Sequence, residues 1–535
     1  MKGFGRRGWA ILTVIVLLLG LGIGWAAYHR GAGPVSSAQD PGVSMSVSTD
    51  DQGRPLKTWT IVAKPARWEI APGVDVQALT YGGTVPGTTI EVRQGDHVRV
   101  KLVNQLSVPT SIHWHGYPVP ASMDGVPGIT QDPVQPGQSF VYDFIATVPG
   151  TYWYHSHVDS ANQVDEGLYG PFIVLPKTIP PDQKTDRDYT LVLDEWSTMM
   201  GGAAQGMMDQ GGMGMGHGPG GMGHEGMSGG GDAPTAPQGP VSADQGDPGM
   251  SHDQMMKMMY NIYTVNGRSG SMIAPMDVKP GETVRLRFIN AGYLTHLVHL
   301  QGQPFRVVAT DGRATSLSPE VTDRALAIGA GERYDVIFTA THSFAIDLHD
   351  GTPAAPRTVI PVRVAGDGNT VAAPDPESVP TLDMTAYERG AGVKDATTWD
   401  ASYTWHLNSA IVNGQLAYTI NGKVWPYTDP ITVKTGDRVK VTLINDGQSD
   451  HPMHLHGHVF RVLTRNGVPV QGDVEKDTLL VRPGETYEIG FVSDNPGIWV
   501  FHCHDLHHAA AGMMGDVEYQ DYHSPYPVDK ARAGE

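Results

Sequence analysis

One stretch near the end of the chain contains residues whose types and spacing favour redox chemistry. It holds Cys503, the only cysteine among 535 residues, with a histidine on either side. His508 follows five positions later and Met513 ten positions later. A thiolate, imidazoles and a weak axial thioether are the ligands of mononuclear copper sites that transfer electrons. A lone cysteine is more often a small buried apolar residue, but the surrounding histidines favour a metal ligand here.

Four His-x-His pairs offer a second set of metal ligands. The pairs are His113/His115, His155/His157, His454/His456 and His502/His504. Because side chains alternate between the two faces of a strand, both imidazoles of a pair point to the same side. One such pair is weak evidence, whereas four pairs can supply eight imidazoles to a shared metal cluster.

The triplet around Cys503 predicts a link between the two sites. If its two histidine neighbours face the cluster, Cys503 points to the opposite face of the strand. There His451, His508 and Met513 can complete the copper site. One strand would then join an electron-accepting centre to an electron-consuming one through a few covalent bonds.

Composition limits the class of protein that positions these residues. The chain has 37 basic and 56 acidic residues, so its formal net charge of −19 predicts no nucleic-acid partner. Its 66 glycines and 40 prolines are typical of a turn-rich architecture. A single cysteine cannot form an intramolecular disulfide.

The first 54 residues are predicted to be an export signal or a membrane anchor, followed by a linker. Three basic residues precede an uncharged apolar run over residues 9–27, which is about long enough to span a bilayer. Ser36-Ser37-Ala38 offers a cleavage point for a signal, so both interpretations remain open. Either one predicts an extracytoplasmic location for the rest of the chain.

Three segments of ten residues align without gaps, and they indicate an internal repeat. They are residues 95–104, 281–290 and 436–445. In each, a glycine and the residue after it are followed by alternating apolar residues, which is typical of a half-buried strand. Each segment ends in asparagine, and a histidine follows nine residues later. The sequence therefore predicts three β-sandwich modules. Their ranges are 55–178, 185–366 and 375–523.

The middle module differs from the third where metal ligands would lie. It has Gln301 in place of a histidine and His349 in place of Cys503. We interpret it as a structural spacer without a metal. The alternative is a separate metal held by His296, His299 and His349, which would lack a thiolate.

Residues 198–259 interrupt the middle module with a segment rich in glycine, methionine and histidine. So much glycine predicts a mobile loop rather than a packed core. Most of the chain's 22 methionines lie here, and thioethers are soft ligands that select Cu(I). The insert therefore predicts a segment that collects cuprous ions for the mononuclear site. A low-complexity linker with incidental methionines is the alternative.

Together, the four histidine pairs and Cys503 resemble the motifs of three-domain multicopper oxidases, the laccase and cuprous oxidase family. The resemblance extends to the copper-resistance type with a Met-rich insert, and it covers nearly the whole chain after the leader. It implies an all-β chain of three cupredoxin-like Greek-key β-sandwich domains. It also implies four copper ions, which oxidise a substrate by single electrons and reduce dioxygen to water.

The resemblance further implies which residues bind each copper. Type 1 copper would take His451, Cys503, His508 and Met513, and type 2 copper would take His113 and His454. The two type 3 coppers would take the other six imidazoles: His115, His155, His157, His456, His502 and His504. His507 is a further ligand by composition, but spacing favours His508.

Asp124 matches a family position whose carboxylate lies near the cluster and assists proton delivery. Dioxygen reduction consumes protons, so an acid beside the cluster would have a physical task. A turn-forming role in Asp124-Gly125 is the alternative. Bacterial relatives often have a glutamate directly after the type 1 histidine, where this chain has Ala509.

The sequence thus predicts an exported multicopper oxidase with dioxygen as oxidant. Its expected reductant is Cu(I), in copper tolerance, and laccase-type oxidation of phenols is the close alternative. A copper-binding or storage protein without turnover is the rival of another class. Storage, however, needs no thiolate connected to a trinuclear cluster, and nitrite reduction would leave that cluster superfluous.

Overall fold

The computed structural model describes residues 42–198, 252–315, 318–352, 356–368, 379–386, 398–472 and 474–533. Within these ranges the chain forms 32 strands, which assemble into six sheets. The apolar run over residues 9–27 and most of the Met-rich insert lie outside the described residues. In the described parts, no helix has the length and apolar character needed to cross a bilayer.

The first module contains nine strands in two sheets. They are β1 (Val43–Thr49), β2 (Pro55–Ala71), β3 (Val74–Tyr81), β4 (Ile90–Arg93), β5 (His97–Asn104), β6 (His113–His115), β7 (Ser139–Ile145), β8 (Gly150–His155) and β9 (Tyr169–Leu175). One sheet has the order β1-β2-β5-β7 with β3 beside β2, and the other has the order β4-β9-β8-β6. β1 pairs with β2 along its whole length, so the first sheet begins within the residues predicted to be leader and linker.

The middle module contains eleven strands in two sheets. They are β10 (Arg187–Trp196), β11 (Ile262–Val265), β12 (Met276–Val278), β13 (Thr283–Asn290), β14 (His296–Leu300), β15 (Arg306–Thr310), β16 (Arg313–Ala314), β17 (Ala325–Ile328), β18 (Arg333–Thr339), β19 (Phe344–His349) and β20 (Thr358–Val364). The sheet orders are β11-β10-β13-β18-β15-β16 and β12-β20-β19-β14-β17.

The third module contains twelve strands in two sheets. They are β21 (Ala401–Val412), β22 (Gln415–Ile420), β23 (Ile431–Val433), β24 (Arg438–Asn445), β25 (His451–Leu455), β26 (Phe460–Arg465), β27 (Val468–Pro469), β28 (Glu475–Lys476), β29 (Thr478–Val481), β30 (Thr486–Val492), β31 (Ile498–Cys503) and β32 (Met514–Tyr519). The sheet orders are β22-β21-β24-β30-β26-β27, with β28 beside β26, and β23-β32-β31-β25-β29. The predicted all-β class is confirmed.

The repeated asparagine has the same structural role in each of the three modules. Asn104, Asn290 and Asn445 end the equivalent strands β5, β13 and β24. Each side-chain amide donates two hydrogen bonds of 2.7–2.9 Å to carbonyl groups of the chain that follows. These bonds fix the turn that leads to β6, β14 or β25, the strands on which the histidines lie.

One strand of the middle module, β13, is buried on both faces. β5 and β24 alternate between buried and more exposed residues, as predicted, whereas β13 is buried almost throughout. Its arginines lie in ion pairs rather than in solvent: Arg287 donates to Asp335 at 3.0 Å and to the Thr151 hydroxyl of the first module at 2.8 Å. Burial of both faces is expected where a second module covers the outer face of a sheet.

Three short α-helices lie among the described residues: α1 (Ser160–Gln163), α2 (His252–Met259) and α3 (Leu506–Ala510). α2 forms the end of the Met-rich insert, so the prediction of a loop over residues 198–259 is wrong for its last eight residues. These residues contain neither glycine nor proline, and they dock through Met256, which is buried in the apolar core.

Candidate metal centres

Two strand ladders carry the four histidine pairs. In the first module, β6 pairs with β8, and His113 lies opposite His155. In the third module, β25 pairs with β31, and His454 lies opposite His502. Strand pairing therefore sets the histidines of each outer module side by side.

All eight imidazoles of the four pairs come together where the first and third modules meet. They form three groups, two of which share His115; within each group the nitrogen atoms lie within 4.8 Å of one another, and every member is buried. The groups are His113/His115/His454, His115/His155/His504 and His157/His456/His502. Because each group draws on both outer modules, neither module alone can form the site.

Cys503 lies in a separate group with His451 and His508, again within 4.8 Å. Its Sγ is 3.6 Å from Nδ1 of His451 and 3.7 Å from Nδ1 of His508. Met513 is fully buried, and its carbonyl accepts a hydrogen bond from the Cys503 amide at 3.0 Å. The thiol thus points away from the eight imidazoles, which is the side that strand alternation predicts.

The orientation of the imidazoles fits a metal. Several buried ring nitrogens accept or donate no hydrogen bond: Nε2 of His113, Nδ1 of His115, Nε2 of His155, Nε2 of His454 and Nε2 of His504. The opposite nitrogens of three rings donate to carbonyl groups at 2.8–3.0 Å. Leaving a buried polar atom unpaired is costly unless a ligand uses it. In metal-bound histidines, one ring nitrogen typically donates a hydrogen bond to the protein, and the other ring nitrogen has no hydrogen-bond partner and binds the metal.

Burial also keeps these rings neutral. Desolvation, reinforced by the neighbouring imidazoles, lowers the pKa of His115, His155, His456 and His504 well below the ordinary histidine value. Desolvation and the neighbouring His508 do the same to the pKa of His451. A neutral imidazole has a lone pair for a metal, so these side chains can bind copper without first losing a proton.

Asp124 contacts the imidazole cluster and also forms a turn. Its Oδ2 lies 2.9 Å from Nδ1 of His456, and its carbonyl accepts from Nδ1 of His113 at 2.8 Å. Its backbone closes a short 3₁₀ helix, and Gly125 follows with φ +82°. The two interpretations of Asp124 are therefore compatible, because the turn directs the carboxylate toward the cluster.

The histidines of the middle module are not grouped for a metal. His296 pairs with Glu195 at 2.7 Å, and His299 lies 3.4 Å from Asp323. Among the described residues, no group of metal-ligating side chains contains a histidine of this module.

Sequence reasoning missed that the middle module contacts the residues next to the cluster. Arg333 forms two hydrogen bonds of 2.6 and 2.7 Å with Asp477, whose neighbour Thr478 contacts His115 and His454. Burial would raise the pKa of Asp477, but the Arg333 guanidinium outweighs burial and holds that pKa well below its usual range. The available signal was an arginine at a repeat position where the other modules have Ser139 and Thr486.

α2 and Tyr260, the residue directly after the Met-rich insert, lie near the residues that precede the two imidazoles of the Cys503 group. The Tyr260 hydroxyl lies 3.4 Å from Nε2 of His507, the residue before His508. Asp450, the residue before His451, has its pKa raised by burial, an effect that the charges of Arg482 and Lys257 partly offset. Because Lys257 belongs to α2, the last residues of the insert lie near this group.

Comparisons with known proteins agree with this architecture. Models of the multicopper oxidase family match residues 63–179, 240–365 and 388–522. The chain is 32% identical over 531 residues to the multicopper oxidase MmcO of Mycobacterium tuberculosis, covering 97% of each chain. It is 26% identical to copper resistance protein A of Escherichia coli, covering 84% of this chain and 90% of that one.

A solved structure shares the fold. The multicopper oxidase from Pseudomonas thermotolerans is 27% identical, with a TM-score of 0.63, over 87% of this chain and 99% of that one. This likeness confirms the predicted cupredoxin-like class of the β-sandwiches.

Proposed function

The chain belongs to the multicopper oxidase family of oxidoreductases, and on that premise we propose that it oxidises Cu(I) with dioxygen in copper tolerance. Its family implies copper binding, and we assign four coppers to the two sites described above. The similarity to a protein named for copper resistance favours the same role here. We place this activity outside the cytoplasm, in accordance with the predicted leader.

The grouping of the side chains supports a definite ligand assignment. His451, Cys503 and His508, with Met513 nearby, would hold type 1 copper. His113 and His454 would hold type 2 copper, and the groups His115/His155/His504 and His157/His456/His502 would each hold one type 3 copper. When bound, these ions supply one-electron oxidation at the type 1 site and four-electron reduction of dioxygen at the cluster.

The backbone of residues 502–504 provides the path between the two sites. Cys503 lies in one ligand group, whereas His502 and His504 lie in two groups of the other. One peptide unit on either side of Cys503 therefore separates the proposed site of substrate oxidation from the proposed site of dioxygen reduction. This short covalent path favours an oxidase over a storage protein.

We assign proton delivery to Asp124. Ala509 follows His508 and has no side chain that could carry a proton. Asp477 also approaches the imidazoles, but Arg333 holds it as a carboxylate. Among the described residues, the Asp124 carboxylate pairs only with imidazoles, so we assign this task to it.

The observation that carries the choice of Cu(I) is the position of Tyr260, directly after the insert and its helix α2, beside the proposed type 1 ligands. Tyr260 contacts His507, and the two rings of Tyr293 and His507 lie 4.5 Å apart between centroids. A segment rich in thioethers, which prefer Cu(I), therefore begins next to the electron-accepting site. Phenol oxidation of the laccase type remains the alternative, since it needs the same coppers but not this segment.

Oxygen uptake with Cu(I) and with a phenol tests the choice of reductant. Deleting residues 201–250 spares α2 and its buried Met256, so the type 1 site should remain intact. We expect this deletion to lower the rate with Cu(I) by tenfold or more and to leave the rate with the phenol within about twofold. A variant of full length with serine at Met207, Met208, Met213, Met215, Met222 and Met227 should behave in the same way. Equal losses with both reductants would refute the role of the insert.

A further inference from the structure

One threonine hydroxyl contacts two imidazoles of the cluster. Oγ1 of Thr478 is 3.0 Å from Nε2 of His115 and 3.0 Å from Nδ1 of His454. The same hydroxyl donates its only hydrogen to Oδ1 of Asp477 at 2.8 Å. A hydroxyl has one donor and two acceptor lone pairs, so toward both rings it can only accept.

This arrangement selects one tautomer of His115. Since Thr478 accepts, the hydrogen of the ring lies on Nε2, and Nδ1 keeps its lone pair. Nδ1 of His115 is buried without a hydrogen-bond partner, which leaves it open to a metal. Oδ1 of Asp477 lies 3.4 Å from Nε2 of His115 and from Nδ1 of His454. His454 also has the Asp477 carbonyl as an acceptor at 3.0 Å, so the tautomer of His115 depends more strongly on Thr478 than that of His454 does.

The direction of the Thr478 hydroxyl depends in turn on the middle module. It donates to Asp477 because that carboxylate is held as an acceptor by two hydrogen bonds from Arg333, of 2.6 and 2.7 Å. Asp311, also of the middle module, accepts from the amides of Asp477 at 3.2 Å and Thr478 at 3.1 Å. The module therefore fixes both the side chain and the backbone of this segment.

The charged side chains at this junction are buried and paired with one another. Arg333, Asp311 and Asp477 have no exposed surface. Lys476 lies 3.2 Å from both Asp311 and Glu332. Two cations thus face three carboxylates, and a bidentate pair with this geometry restricts the orientation of both partners.

We infer that Arg333 is a positioning residue for the trinuclear copper site. Acting through Asp477 and Thr478, it fixes the ring nitrogen that His115 presents to copper. The middle module, which we interpreted from the sequence as a spacer, is then a necessary part of the site. This inference rests on the ligand assignment proposed above and is independent of the reductant.

The first test reads the tautomer directly in the copper-free protein. Nitrogen NMR of histidine-labelled protein, with the His115 signals assigned by comparison with His115→Gln, should show the hydrogen on Nε2. Thr478→Val keeps the volume of the side chain but removes the hydroxyl, so we expect a mixture of tautomers or a hydrogen on Nδ1. Thr478→Ser restores the hydroxyl and should restore the Nε2 tautomer.

A matched control separates this effect from the general loss of a buried hydroxyl. Thr358→Val removes a hydroxyl that is equally buried and donates to the Tyr263 carbonyl at 2.7 Å. It should leave the His115 signals unchanged. A wild-type tautomer in Thr478→Val would overturn the inference.

Copper affinity provides the second readout. Competition with a chelator should show copper binding to the cluster of Thr478→Val weakened roughly 10-fold to 100-fold, as expected for loss of a group that orients a ligand. Thr358→Val and Thr478→Ser should bind like the wild type. Equal affinity in Thr478→Val would count against the inference.

Arg333→Lys tests the origin of the effect in the middle module. It keeps the positive charge but not the two-pronged geometry, so we expect the same tautomer change as in Thr478→Val, to a smaller extent. Folding is checked by the thermal unfolding of the copper-free variant. If it folds and retains both the wild-type tautomer and the wild-type affinity, Arg333 has no positioning role. If Arg333→Lys fails to fold, Asp477→Asn is measured instead, because it removes the carboxylate that Arg333 holds. The same change of tautomer is expected, and a wild-type tautomer with wild-type affinity would again contradict the positioning role.

The two proposals fail in different ways. A wild-type protein that binds no copper at the cluster would refute the ligand assignment. A wild-type protein that binds copper but does not oxidise Cu(I) would refute only the reductant, and the tautomer measurement would still decide the role of Arg333.

Discussion

The carboxylate of Asp124 in the first module lies 2.9 Å from Nδ1 of His456 in the third module. The two residues are 332 positions apart, and this contact crosses the interface at which the imidazoles gather. The ring nitrogen can donate to the carboxylate, which directs the other nitrogen of His456 toward His502, 3.1 Å away.

We predict that Asp124→Asn slows dioxygen reduction without loss of copper. The amide oxygen can still accept from His456, so the imidazole keeps its place, but an amide carries no proton at neutral pH. Loss of a general acid is expected to lower kcat for oxygen uptake roughly 100-fold or more. Stopped-flow reduction of type 1 copper under anaerobic conditions should remain at the wild-type rate.

The control for this variant is Asp143→Asn in the same module, where the carboxylate pairs with His97 and Arg99, each at 2.6 Å. It should not alter kcat by more than about twofold. Wild-type oxygen uptake by Asp124→Asn would show that protons reach the cluster by another route.

We predict that Cys503→Ser abolishes the blue absorption and all turnover. Serine fits the fully buried position but supplies no soft thiolate for type 1 copper. Three coppers per chain should remain, as measured by metal analysis. Met513→Leu is the matched contrast, because leucine has a similar volume and the variant keeps the thiolate, so blue colour and turnover should persist. Oxidation of either reductant by Cys503→Ser would exclude the proposed electron path.

The sequence predicted the features of the fold that depend on local pattern. Alternating apolar residues predicted β5 and β24, and the spacing from Asn104, Asn290 and Asn445 predicted the histidine strands, because each asparagine holds the same turn. The side on which Cys503 lies also follows from strand alternation alone.

Other features depend on contacts between distant residues and have no local signal. Arg333 and Asp477 are 144 positions apart, and the departure of Arg333 from the repeat does not indicate which residue it contacts. The division of the proposed type 3 ligands into two groups also requires the two outer modules to meet. α2 was missed because the composition of the whole insert obscured eight residues that are free of glycine and proline.

We predict that Gly331→Ala disrupts copper binding whereas Gly484→Ala does not. Both glycines occupy the same position in the repeat, with φ of +81° and +76°. A Cβ at Gly331 would lie 2.9 Å from Cγ of His504 and 3.0 Å from Cε1 of His115, whereas a Cβ at Gly484 would meet nothing within 4 Å. Each alanine should cost roughly 1–2 kcal/mol of stability because of its backbone conformation.

The measurements for this pair are copper content and the free energy of unfolding of the copper-free protein. Only Gly331→Ala should lose copper from the cluster, since only this alanine displaces two proposed ligands. Full copper content in Gly331→Ala would mean that His115 and His504 can shift without consequence.

The last prediction concerns pH and the junction beside the insert. Burial, as the main cause, raises the pKa of Asp165 from 3.8 to about 8, and a hydrogen bond with Tyr260 offsets only part of this rise. The residue is partly exposed, but its Oδ1 is buried and has no hydrogen-bond partner. The folded protein therefore favours the neutral acid, and the stability that Asp165 contributes is complete below pH 3.8 and is lost as the pH rises toward about 8.

Asp165→Asn should remove this loss, because asparagine resembles the neutral acid at every pH. The free energy of unfolding of the variant minus that of the wild type should increase between pH 5 and pH 8, by at most about 1.4 kcal/mol per pH unit. Urea unfolding at both pH values measures the difference, and Asp132→Asn, at an exposed carboxylate that pairs with Arg532, controls for the loss of a surface charge. A difference that stays constant or decreases with pH would show that Asp165 is ionised in the folded protein.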